Sequence, residues 1–212
     1  MSPAANNPSV DFMKLFTDRH SADYLFYMIA YQSAPVIEKT KPGVILNFMN
    51  DRLRKLNDLW REQRRQLTGL ESFAYRELRV TPQGTTVLFY CPDLLTDILN
   101  QRPVTQYLLS CGYREELTLG TALEDLAACF QTKCPHEVGV FLGIPLPDVL
   151  DFINNGGKNA VAEGYWKIYH DVGRQMKLFA HYHEAKRRFV NFVKTGNQLR
   201  TYLGIRTMAL VE

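Results

Sequence analysis

At 212 residues, with 46% apolar and 22% charged side chains, the chain has ordinary globular composition and enough length to bury a substantial core. A formal charge of +3 gives no strong field for nucleic acid, whose binding needs several clustered phosphate contacts. No apolar run reaches the roughly 18 residues of a membrane helix, so neither nucleic acid nor a membrane is an expected partner.

Residues 1–9 are polar and turn-rich, without the basic and apolar regions of a signal peptide, and read as a disordered tail ahead of a single domain over 10–212. Cys91, Cys111, Cys129 and Cys134 then read as reduced thiols, and the expected location is cytoplasmic.

Val10 to Ile37 is rich in helix formers and aromatics and predicts one or two helices ending near Ser33-Ala34-Pro35. After the Lys41-Pro42-Gly43 turn, Gly43 to Phe48 predicts a short buried strand. Leu53, Leu56, Trp60 and Leu67 are spaced as the apolar stripe of a helix begun by Asn50 or Asp51 and stopped by Gly69. The arginines of its other face read as a solvated surface. Phe73 to Val80 and Thr85 to Cys91 predict a hairpin closed by Thr81-Pro82-Gln83-Gly84.

Helices follow over Pro92 to Asn100, Val104 to Cys111, Thr121 to Lys133, Pro135 to Leu142 and Pro147 to Asn155. Large apolar and polar groups alternate from Tyr165 to His170, which predicts a strand. Val172 to Lys194 predicts a long helix facing inward through Met176, Phe179, Tyr182, Phe189 and Val193. The order β-α-β-β-α-β predicts an α+β fold of ferredoxin-like, split βαβ type. It would have a four-stranded antiparallel sheet with helices on one face, an expanded helical insertion and extra N-terminal helices.

Chemistry concentrates in Cys134-Pro135-His136-Glu137 and in Gly156-Gly157-Lys158-Asn159 with Gly164-Tyr165-Trp166-Lys167. Histidine as a residue type changes charge near neutral pH, and Glu137 could orient His136, so the two are the candidate catalytic acid/base pair. Glu137 at a helix start is equally explained by the helix dipole. Lys41, Lys158 and Lys167 offer cations, and Asn159, Tyr165 and Trp166 polar and aromatic surface, for a small anionic ligand stacked on a ring. The same residues also read as a helix cap and sheet core.

Cys91 and Cys134 each precede a proline at a predicted helix start, where unpaired N–H groups would lower a thiol pKa. Cys-Pro also occurs where a thiolate ligates haem. No spacing here matches a zinc pattern, and His181 and His183 diverge by about 200° on a helix, so no metal site is expected. HExxH, phosphate-loop and dinucleotide motifs are lacking, Ser33 has no nucleophile-elbow context, and no cofactor is specified.

The run from Pro135 to Leu146 with Asp148-Val149, followed by Gly164-Tyr165-Trp166-Lys167-Ile168-Tyr169, resembles the uncharacterised clostridial proteins grouped as domain of unknown function 3793. Ala34-Pro35, Lys41 and Gly157-Lys158-Asn159 extend the likeness over roughly residues 25 to 190. The resemblance implies a bacterial, anaerobic, cytosolic setting and carries no activity. It also implies His-Cys before Ala-Pro and a cysteine before Gly-Tyr-Trp-Lys, where this chain has Gln32-Ser33 and Glu163. A thiol or metal activity built on those groups would be partly lost here. Together these readings lead to a pocket for a small anionic ligand, bound or processed. The rival is a non-catalytic module sensing haem, metal or redox state, or docking a protein partner through the helical insertion.

Overall fold

The structure, a computed structural model, describes residues 21–205 apart from 53, 68, 69, 71 and 72. The expected tail and the first part of the N-terminal helical segment lie outside the described residues, as do Leu53 and the Gly69 stop. Helix α1 (Ser21–Ile37) leads into strand β1 (Gly43–Met49), helix α2 (Leu56–Gln63) and a 3-10 turn (Arg64–Leu67). Strands β2 (Ala74–Val80) and β3 (Gly84–Tyr90) form the predicted hairpin. Helices α3 (Pro92–Leu99), α4 (Arg102–Ser110), α5 (Leu119–Phe130), α6 (Val138–Phe141) and α7 (Leu146–Asn154) come next. A two-residue ladder, β4 (Ala162–Glu163) and β5 (Lys167–Ile168), precedes the long α8 (Val172–Lys194) and the short α9 (Leu199–Tyr202).

The fold is α+β. Its main sheet has the order β1-β3-β2, with both outer strands antiparallel to β3. In this three-stranded sheet β3 lies between β1 and β2, which are joined through α2 and the 3-10 turn. The expected fourth strand does not join it. Lys167–Ile168 pairs with Ala162–Glu163 in a separate small ladder instead, because Gly164 lets the chain reverse on itself there. Alternation over 165–170 thus reports a hairpin lying on α8 rather than an added strand.

Helices cover both faces of the sheet, not one. Period-two alternation on β3 sends Val87 and Phe89 to one core and Leu88 to the other. The first core gathers Ile29, Tyr31, Phe48, Trp60, Phe189 and Val190 from α1, α2, α8 and β1. The second gathers Leu95, Leu108, Leu126, Val140 and Phe141 from α3 to α6. A central strand covered on both sides needs apolar residues on both sides, which is why β3 reads as a continuous run. A smaller third cluster, Trp166, Ile168, Phe179 and Tyr182, seats the β4–β5 ladder on α8. Within α8, Met176 is 48% exposed, and Gln175 is buried in its place.

Local signals set the boundaries. Pro35 lies inside α1, and its carbonyl accepts from Thr40 N at 2.8 Å and Lys41 N at 3.0 Å, which ends the helix in a tight turn. Thr118 and Thr121 form a reciprocal capping box at the start of α5. Asp171 opens α8 by accepting from Arg174 N at 3.2 Å.

Candidate functional site

The segment 134–143 is shorter in helix than its sequence suggests. Pro135 is buried, Glu137 is the N-cap residue, and α6 is a single turn. Gly143, with a positive φ of 77°, packs against Pro42 so closely that a Cβ would sit 2.6 Å from its ring. Lys41 fastens the same junction: its ammonium donates to Gly43 O at 2.7 Å and to Leu142 O at 2.5 Å.

The Gly164-Tyr165-Trp166 turn meets this segment from the other side. At Gly164 a Cβ would come 2.3 Å from the Phe179 ring, so only glycine lets the turn lie flat on α8. Trp166 stands edge-on to Phe179 at 4.5 Å and donates through Nε1 to Gln175 Oε1 at 2.5 Å. Gln175 in turn donates to Asp148 Oδ2 and His170 O, both at 2.6 Å. Asp148, buried at the start of α7, accepts from Tyr169 N at 2.5 Å and His170 N at 3.0 Å. The Asp148–Gln175–Trp166 chain therefore fixes the indole from behind.

Between the two segments lies a hollow of about 490 Å³. His136, Tyr165, Trp166 and Lys167 line it together, with Cys134, Asp148 and Glu163 also on its walls. The remaining surface is mostly apolar, supplied by Pro135, Val138, Leu142, Ile144, Val149 and Phe152. The His136 ring lies 5.8 Å from that of Phe152. Lys167 donates to Gly157 O at 2.6 Å, which leaves two further ammonium protons.

The other expected site residues stand elsewhere. Glu137 is not on the hollow: it shares a hydrogen bond with Cys129 and acts on the thiol of Cys111. Lys158 and Asn159 are exposed on the turn after α7, where Asn159 donates to Asn155 Oδ1 at 3.3 Å. Lys41 is buried behind Trp166, its ammonium 6.0 Å from that ring and 5.6 Å from the ring of Tyr182. Burial, then the neighbouring charge of Lys186, pulls its pKa down to about 7.

Cys134 also departs from expectation. Burial and the Glu137 carboxylate push its thiol up, not down, because the helix it precedes begins only at Val138 and is capped by Glu137. Its alkylation by iodoacetamide at neutral pH is expected to be slower than that of free cysteine, and Glu137→Gln is expected to speed it. A faster wild-type rate on stopped-flow or mass-spectrometric timing would contradict this assignment. Among the described residues, no group of three or more His, Cys, Asp or Glu could hold a metal ion. Nor is any helix among them long and apolar enough to cross a membrane.

Lys186 is the group that the sequence reading passed by. It projects from α8, donates to Gln32 Oε1 at 2.8 Å, and lies 5.0 Å from the Tyr31 ring and 5.5 Å from the Tyr165 ring. With Glu163, Tyr165 and His183 it lines a second hollow of about 590 Å³ on the far side of the same turn. A signal was available: Lys186 falls in the 3-4 spacing of Phe179, Tyr182, Phe189 and Val193. Gln32 and Glu163, two positions where the chain departs from the pattern it resembles, both belong to its surroundings.

A model of the family described as "Protein of unknown function (DUF3793)" matches residues 29–203, and the chain belongs to that family. No curated protein and no solved structure matches the chain.

Proposed function

We propose that this member of the DUF3793 family binds a small ligand with an apolar body and one anionic group. The ligand occupies the hollow between residues 134–152 and the 163–167 turn. The observation that supports the reading is the convergence of His136, Tyr165, Trp166 and Lys167 on one cavity with otherwise apolar walls. Pockets for small molecules have this composition, a largely apolar lining with a few placed polar groups. Trp166, held from behind by Gln175, offers an aromatic surface, and Lys167 supplies the charge. Glu137 lies off the cavity, so binding has more support than proton transfer by a His136–Glu137 pair.

The test compares benzoate and phenylacetate with their neutral amides by ligand-detected NMR and thermal shift. The acids are expected to bind more tightly, and Lys167→Met to weaken them roughly tenfold or more, the worth of a charge-assisted hydrogen bond. Equal binding of acid and amide would remove the anionic part of the proposal. No binding of either would remove the whole of it.

A further inference from the structure

We infer that Lys186 is a nucleophilic amine that forms an imine with a small uncharged aldehyde or ketone entering the hollow between the 163–165 turn and α8. The site is separate from the one proposed above. The two cavities lie on opposite sides of the turn and share Glu163, Gly164 and Tyr165 in their linings.

The geometry carries the inference in three parts. First, the amine stands at a cavity wall on a helix stripe that is otherwise apolar, with Phe179 and Met176 on the same lining to receive a carbon body. Second, its charge faces two aromatic rings. Among the described residues its hydrogen bond goes to the neutral Gln32 side chain, and it is paired with no carboxylate. Glu184, two residues earlier on the helix, is engaged by Arg187 and Arg188. The charged or titratable groups around it are Lys41, of the same sign, His183 on its own helix, and the exposed Glu163 across the hollow. A half-buried cation without an acidic partner is the costlier form, which favours the neutral amine. Third, Tyr165, whose ring lies beneath the ammonium, has a buried hydroxyl with no hydrogen-bond partner among the described residues. Burial, then Tyr31, pushes that hydroxyl up to about 12, so it keeps a proton to give.

Burial brings Lys186 down to about 8, against 10.5 for an ordinary lysine. About a tenth of the amine is then unprotonated at pH 7, compared with roughly one part in three thousand on the open surface. The lone pair of Nζ adds to the carbonyl carbon, and the C=O π pair moves to oxygen, which takes the proton shed by nitrogen. Tyr165 then protonates the resulting hydroxyl, which leaves as water while nitrogen forms the second C–N bond. The iminium proton returns to the tyrosinate, so the net change is amine plus carbonyl to imine plus water. An anion held only by charge is the competing occupant, and it would leave no covalent label on Lys186.

Benzaldehyde with sodium cyanoborohydride, which reduces the imine and fixes it, provides the test on the full chain. Peptide mapping is expected to find benzylation at Lys186 at least tenfold ahead of the exposed Lys158, Lys177 and Lys194. Its rate should rise with pH and level off near 8 while theirs go on climbing. Lys186→Arg should abolish the fast phase, and Tyr165→Phe should slow it, with benzoate binding in the neighbouring hollow retained by Lys186→Arg. Labelling spread evenly over the lysines, or a Lys186 rate that tracks theirs with pH, overturns the inference. Mapping the unaltered protein decides the matter even where Lys186→Arg does not fold.

Discussion

Asp148→Ala is expected to lower the unfolding free energy by about 3 kcal/mol, the scale on which buried donors lose a charged acceptor. The carboxylate is 1% exposed and accepts from Tyr169 N, His170 N and Gln175 Nε2. Removing it leaves two backbone N–H groups and one side-chain amide without that partner. For a chain of this size the midpoint of thermal unfolding should fall by roughly 6–12 °C. Asp148→Asn is the sharper variant because it preserves volume. Its amide would present a donor to Gln175 Nε2, and turning Gln175 over would present a donor to Trp166 Nε1. Flipping the asparagine instead sets its NH₂ against the two backbone N–H groups. Each arrangement keeps one donor facing another, so Asp148→Asn should also destabilise, by about half as much. Urea unfolding of both variants checks this, and a loss under about 1 kcal/mol for Asp148→Ala would remove the anchoring role.

The second large effect is expected at Trp60. The indole is fully buried, stacks on Phe48 at 4.7 Å and 11°, and meets the edges or faces of Tyr75 and Phe89 at 5.1 and 5.8 Å. Its Nε1 donates to Glu77 Oε1 at 2.7 Å, and Arg64 pairs with the same oxygen. Trp60→Ala removes an aromatic from the centre of the first core and should cost about 3–5 kcal/mol. Trp60→Phe keeps most of the stacking and gives up the hydrogen bond, with Arg64 still on Glu77, so it should cost about 1–2 kcal/mol. Chemical unfolding that gives the two variants nearly equal costs would mean that the Glu77 bond, not the ring packing, dominates at this position.

The helices and the hairpin were legible because their signals are local. Val172 to Lys194 is bounded by an Asp171 cap and a Gly196 exit, and the structure places α8 over those residues. Thr81-Pro82-Gln83-Gly84 likewise closes β2 onto β3. What was not legible depends on partners distant in the chain. Alternation over 165–170 cannot say which strand it pairs with, and the deciding fact is the Gly164 contact with Phe179. Adjacency also misled at residues 136 and 137. One side chain lines the hollow and its neighbour turns to Cys129, because successive positions on a helical turn diverge by about 100°. Lys158 and Asn159 were singled out for their chemistry, yet their local role at the end of α7 comes from the positive φ values of Gly156, Gly157 and Asn159. Lys167, nine residues after Lys158, is the lysine that reaches the cavity.

The chain at Glu163, Gly164 and Tyr165 contributes to the walls of both hollows. A tyrosine ring displaced toward one side vacates space on that side's opposite, so whatever occupies the first compartment alters the volume left in the second. Thermodynamic linkage makes such an influence mutual: the factor by which one guest changes the other's affinity is the same in both directions. Were both cavities to take guests, this shared wall would couple them.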